Sequence, residues 1–147
     1  MPDPGFQALA ALCRLRRMET DEARRALAET LASEAALATR NEAITREIAD
    51  ARQRPDIFDR ETFSAWLARM RSEQTRLTEP LRGATMRTAA NRAVLANRRM
   101  AETAADEALG RAVTARESAV ARRDQAMLED VARALTRAPV SDRDNAV

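Results

Sequence analysis

Histidine, lysine and tyrosine are missing from this sequence, and cysteine, tryptophan and glycine are nearly so, with one Cys, one Trp and three Gly in 147 residues. Without His there is no His-ligated metal site and no imidazole general base. The lone Cys13 excludes an intrachain disulfide and fits a reducing compartment. With no Lys, every cation is an Arg, whose charge is fixed at physiological pH. The pI is about 9.8, yet the net charge is only +2, so the pI alone does not point to nucleic acid. No apolar run reaches transmembrane length. Phe6 to Cys13 is too short for a signal-peptide core and is followed at once by Arg14, Arg16 and Arg17. A cytosolic protein is expected.

Aromatics make up only 3% of the chain and charged residues 33%. Ala, Arg, Glu and Leu dominate, a composition of long helices and coiled coils rather than of a thick layered core. Disorder is the competing reading of so charged a chain, and the sustained apolar periodicity opposes it. The run from Leu81 to Arg137 organises the rest. It holds two Gly and no Pro, and as one helix it would be about 85 Å long. A helix of that length cannot bury its own apolar stripe, and Phe6 to Arg52 is the only other segment long enough to cover it. The expected fold is all-α, a long antiparallel two-helix coiled-coil hairpin in a single domain spanning residues 1–147.

Taken in order, Met1 to Gly5 is a frayed leader in which Asp3 and Pro4 suit a helix start. The first helix is expected over about 6–53. Phe6, Leu9, Leu12, Ala23, Leu27, Leu31, Leu37, Ile44 and Ile48 recur on one broad face. Arg16 and Thr30 fall where a strict heptad wants apolar side chains, which reads as a stripe with stutters. Pro55 ends this helix. Asp56 or Asp59 can cap the next, with Glu61 well placed in its first turn. Phe63, Leu67, Met70, Leu77 and Leu81 then step in fours and threes. Phe58, Phe63 and Trp66 cluster there and suggest a small satellite core at the tip, with a partner-binding patch as the alternative.

Pro80 and Gly83 interrupt the second run. An interior Pro costs about 3 kcal/mol. If the chain reversed only at Pro55, the second helix would overshoot the first by about 45 Å. A break at Pro80 makes the two long helices nearly equal, and predicts a shorter connecting helix over about 59–78 before a final helix over about 81–137. The final stripe steps sideways after Leu109, beside Gly110. Residues 138–147 are expected to be a loose tail.

No Gly-rich phosphate loop, metal-ligand spacing or nucleophile–base pair is visible. No enzyme activity, cofactor, metal or small-molecule substrate is expected. One stretch departs from charge balance. Arg82, Arg87, Arg92, Arg98 and Arg99 occur between Leu81 and Ala101 with no acid among them. Their spacing fans them around a helix. They form a solvated face opposite the acids of the first helix, a surface for an acidic partner, or a weak nucleic-acid surface, which would want a concentrated basic face. A matched hairpin also sets Phe6 to Ala26 beside Val113 to Arg137. One slender end then carries Arg14, Arg16, Arg17, Arg24 and Arg25 together with Arg116, Arg122, Arg123, Arg133 and Arg137.

Three stretches resemble a known family. They are Leu9-Ala10-Ala11-Leu12-Cys13-Arg14-Leu15-Arg16-Arg17 with Glu19, Ala23 and Leu27; Phe63 with Leu67, Met70, Gln74 and Leu77; and Arg122-Arg123-Asp124-Gln125-Ala126-Met127-Leu128-Glu129-Asp130. They are similar to the opening Leu-rich helix, the middle segment and the charged C-terminal run of the FliJ/YscO family of flagellar and type III secretion export proteins. Ala126 and Met127 stand where the family run is commonly basic. The resemblance implies a non-enzymatic cytoplasmic stalk, itself similar to the rotor subunit of rotary ATPases. Its end bearing both termini would enter the pore of a hexameric export ATPase and promote ring assembly and activity. It would link the ring to the cytosolic part of the export gate membrane protein, and so be peripheral to the inner membrane through partners alone. It would also handle export chaperones, in a flagellum or an injectisome. Arg14, Arg16, Arg17, Arg116, Arg122, Arg123, Gln125 and Arg133 are then the candidate ATPase contacts, and Arg82, Arg87, Arg92, Arg98 and Arg99 a second partner surface. The alternatives are a generic coiled-coil scaffold or adaptor, and a nucleic-acid-binding helical protein whose binding would fall steeply with salt.

Overall fold

A computed structural model of the chain describes residues 3–54, 56 and 59–137. Among these residues two helices pack against each other, α1 over Pro4–Arg52 and α2 over Arg60–Arg137. The expected tail over 138–147, and Phe58 of the expected aromatic cluster, lie outside the described residues.

Local chemistry accounts for the helix starts. Asp3 is the N-cap of α1 and accepts from the Gly5 amide at 2.9 Å, with Pro4 in the first turn. Asp59 caps α2, where one carboxylate oxygen accepts from the Glu61 and Thr62 amides and the other from the Thr62 hydroxyl. These bonds satisfy donors that have no partner within the helix. They also hold the Asp59 carboxyl below the ordinary range, the Thr62 hydroxyl contributing most.

The expected break at Pro80 is absent. Pro80 lies inside α2, which runs unbroken for 78 residues, about 117 Å at the α-helical rise. Two features explain why the helix tolerates it. The ring and the Arg76 carbonyl that loses its donor belong to exposed residues, so water can satisfy the carbonyl. On the opposite side Leu77, Leu81 and Ala84 keep facing α1, so breaking the helix would sacrifice packing on both sides of the proline. A separate connecting helix over 59–78 therefore does not form.

The helices run antiparallel. Arg40 bonds Glu73 at 2.6 Å, Glu34 accepts from Thr85 at 2.9 Å, and Arg17 bonds Asp106 at 3.1 Å. The inward positions keep an unbroken four-three spacing. In α1 they are Leu9, Cys13, Arg16, Thr20, Ala23, Leu27, Thr30, Glu34, Leu37, Asn41, Ile44 and Ile48, every one buried or part-buried. In α2 the same spacing runs from Phe63 through Leu67, Met70, Gln74 and on to Ala112. The expected stutters are thus absent. Polar residues occupy seam positions instead, while Leu12 and Leu31, counted as stripe residues from their type, are left exposed at its flank.

The buried apolar residues are Cys13, Ala23, Ile44, Ile48, Ala84, Leu95 and Ala105, with Ile44 fully covered. Several are small, which lets the backbones approach but buries little area. At the tip Phe63 stacks on Trp66 with ring centroids 5.8 Å apart. No described helix is long and apolar enough to cross a membrane.

Candidate functional site

Because α2 does not break, the two helices are unequal. The N-terminal end of α1 meets α2 near Arg116, where the guanidinium sits 5.8 Å over the Phe6 ring. A shallow groove of about 480 Å³ lies at this junction between Phe6, Leu9, Ala112 and Ala115. Beyond it α2 continues alone to Arg137, about 30 Å of single helix. The expected juxtaposition of Phe6 to Ala26 with Val113 to Arg137 is therefore corrected. Phe6 to Ala26 lies beside residues 91–116, since Ala26 accepts from Asn91 and Phe6 meets Arg116. Arg122, Arg123 and Arg133 are not brought together with the α1 arginines but stand on the overhang.

The candidate arginines fall into three groups. Some are engaged at the seam. Arg16 and Arg98 flank Glu19 at 2.8 and 3.1 Å, and these contacts hold the Glu19 carboxyl low, the Arg16 hydrogen bond contributing most. Arg17 is paired with Asp106, and Arg116 with the Phe6 ring. Others bond within their own helix. Arg82 lies 3.9 Å from Glu79, the Arg87 guanidinium reaches back over Gly83, and Arg133 contacts Glu129 and Asp130. Gln125 donates to Glu129 at 3.2 Å. Arg14, Arg92, Arg99, Arg122 and Arg123 are exposed with no ion pair among the described residues. The five arginines from Arg82 to Arg99 form no single patch, because Arg98 turns into the seam.

Two polar layers were not anticipated. Asn91 donates to the Ala26 carbonyl at 3.3 Å and to the Thr30 hydroxyl at 3.4 Å. The buried Thr88 hydroxyl faces the Glu34 carboxylate without reaching hydrogen-bonding geometry. Thr88, then Thr85 at bonding distance, and the nearby Arg92 charge together hold that carboxyl below its ordinary range. Thr30 reads from the sequence as a polar residue at a heptad core position, but Asn91 carries no sequence signal that places it in the seam.

Cys13 is 3% exposed. Burial raises its thiol pKa first, and Asp106 adds to the effect as hydrogen-bond partner and as a like charge, against a small opposing pull from Arg17. A reactive thiol needs the reverse, an electropositive and accessible setting. Among the described residues no group of three His, Cys, Asp or Glu is placed to hold a metal ion.

The overhang carries a second feature. Val113, Val120, Met127, Leu128, Val131 and Leu135 are all exposed, the last at 73%. On a helix they fall within a sector of about 100°. That sector is turned by about one residue step, also about 100°, from the line that faces α1. Gly110 stands where the turn begins. The line that would face a longer α1 continues through Arg116, Ala119, Arg123, Ala126, Asp130 and Arg133, without a large apolar side chain. The chain matches no protein-family model, no curated protein and no solved structure.

Proposed function

We propose that this protein is a non-enzymatic stalk of a flagellar or type III export apparatus, of the kind found in the FliJ/YscO family. The α2 overhang enters the pore of a hexameric export ATPase and promotes its assembly and activity. The two-helix portion, read from its four-three seam as an antiparallel coiled-coil hairpin, spans outward to the export gate and to export chaperones. Any association with the inner membrane runs through those partners.

The observation that carries this reading is the asymmetry of the rod. A single helix is about 10–12 Å across, thin enough for the axis of a ring, and it projects about 30 Å beyond the two-helix segment. Its exposed Arg122 and Arg123 point outward with no ion pair among the described residues. Charged side chains on a slender rod can contact several subunits in turn without locking onto one. The test is the hydrolysis rate of the cognate export ATPase with the whole chain, and with a chain lacking residues 117–147. Stimulation that is lost on truncation supports the stalk. No stimulation, at concentrations where the ATPase forms rings unaided, refutes it.

A scaffold reading is favoured by one observation, the exposed apolar face of the overhang. It predicts self-association without effect on any ATPase, so the same assay separates the two.

A further inference from the structure

We infer that one flank of the two-helix segment docks an acidic amphipathic helix of a partner protein, in the groove beside Leu31 where Arg24, Arg92 and Arg99 stand. The site lies clear of the overhang, so the inference goes beyond the stalk reading and does not rest on it.

The seam spacing carries it. Positions flanking the seam repeat every seven residues along both helices. Because the helices are antiparallel, a step of seven up α1 is matched by a step of seven down α2. Arg17 and Asp106 are one such facing pair, joined at 3.1 Å. The next pair on the same flank is Arg24 with Arg99, then Leu31 with Arg92, then Ala38 with Thr85. An acid–base pair thus gives way to two arginines across the groove and a third one heptad on. The two acids on this stretch of the flank are both taken, Asp106 by Arg17 and Asp21 by Arg24 at 2.7 Å. Arg92 and Arg99 have no ion pair among the described residues, and Arg92 acts on the Glu34 carboxylate only at a distance. The opposite flank differs. There Arg40 meets Glu73 at 2.6 Å, and the stretch level with Arg92 and Arg99 carries Glu22 and Glu29 with Arg87. Positive charge is therefore gathered on one side of the rod.

Shape decides the occupant. Beside the arginines the flank offers Ala28, Leu31, Ala35, Ala89 and Ala96, all exposed. Small side chains let a third helix come close, and Leu31 gives it apolar contact. Arg92 and Arg99 stand seven residues apart, about 10.5 Å along the axis, which is two turns of a helix lying against them. Carboxylates at the same interval on that helix meet both guanidiniums, each through charge-assisted hydrogen bonds. Flanking charges of this kind choose a partner and fix its register. A nucleic-acid backbone wants a concentrated basic face, and here alanines separate the cations.

Fluorescence anisotropy tests this on the whole chain. The probe is a stapled helical peptide of about 21 residues, or about 30 Å, with Leu and Ala along one face and Glu at seven-residue intervals beside it. The comparison ligands are a peptide of the same composition in scrambled order, and duplex RNA. The helical probe is expected to bind, and to bind more weakly as salt rises. Arg92→Glu with Arg99→Glu raises the dissociation constant at least about tenfold. Ala96→Trp, which obstructs the groove without altering charge, does the same, while Arg92→Lys with Arg99→Lys keeps most of the binding. All three residues are exposed, so circular dichroism should report unchanged helicity. Failure of the helical probe to bind, equal binding by the scrambled peptide or by RNA, or indifference to Ala96→Trp would overturn the proposal. So would self-association of the chain that the Arg92 and Arg99 charge reversal abolishes, because the flank would then belong to a second copy. None of these substitutions touches residues 117–137, so stimulation of the export ATPase reports on the stalk reading separately.

Discussion

Replacing Pro80 by Ala should stabilise the protein. An interior proline costs a helix about 3 kcal/mol, through the missing donor and the clash of its ring with the preceding turn. Here the carbonyl that loses its partner belongs to Arg76, which is exposed, as is Pro80. Solvent can reach that carbonyl, so the gain falls below the full figure, at about 2 kcal/mol. For a chain of this size such a gain raises the melting temperature by about 4–8 °C. Helix content at 222 nm should hardly change, because the helix already passes through this position. The assay is thermal and urea unfolding followed by circular dichroism, with the urea midpoint rising and its slope constant. The two conformations predict opposite signs. If residues 60–78 and 81–137 were separate helices, Pro80 would sit in a first turn or a connector that suits it, and Ala would be neutral or destabilising. No rise in melting temperature, or a fall, refutes the continuous helix and with it the overhang.

Three further outcomes follow from the same geometry. Gly110→Ala should stabilise by about 0.5–1 kcal/mol, since the added methyl meets nothing within 4 Å and Ala is the better helix former; a loss of stability in urea would mean that α2 bends there. The Glu19, Glu34 and Asp59 carboxyls are held low in the folded chain, so their contribution is complete above the ordinary carboxylate range near about pH 4 and is lost as pH falls through the depressed folded values. The melting temperature should therefore fall with acidification below that range, and a flat profile there would remove these contacts from the account of stability. Arg122→Glu with Arg123→Glu should abolish stimulation of the export ATPase at unchanged helicity, and full stimulation by the double variant would exclude both residues from that contact.

Capping was legible from sequence because it is local. Asp3 before Pro4, and Asp59 before Glu61, satisfy orphan amides within three residues, and no distant contact revises that. Pro80 was misread because its penalty is local while the compensation is not. Leu77, Leu81 and Ala84 gain from facing α1 only if the helix continues, and that gain appears once the partner strip is known. Arg98 does meet an acid of the first helix, as one reading of that arginine stretch expects, but Glu19 holds it in the seam at 3.1 Å, where a fan inferred from spacing alone does not place it. The four-three spacing from Phe63 to Ala112 is uninterrupted once polar residues are admitted to it. Insisting on apolar residues at every seam position concealed the register, and with it the length of the overhang.

That register matters because the seam's apolar side chains fix it weakly. Ala23, Ala84 and Ala105 are small, and burial yields only about 25 cal/mol per Å², so sliding one helix past the other by a heptad exchanges one set of modest contacts for another. The polar layers are less forgiving. Asn91 now donates to Thr30 and to the Ala26 carbonyl. One heptad either way, it would face Ala23 or Leu37, leaving a part-buried amide unsatisfied at a cost of about 1–3 kcal/mol. Arg98 would leave Glu19 at the same time. A single polar seam residue can set the pairing of two helices at some expense in stability, and here at least two act in concert. A one-heptad slip would change the projecting length of α2 by about 10 Å, a third of the overhang. The polar residues that spoil the apolar stripe are thus what set how far the single helix reaches past its partner.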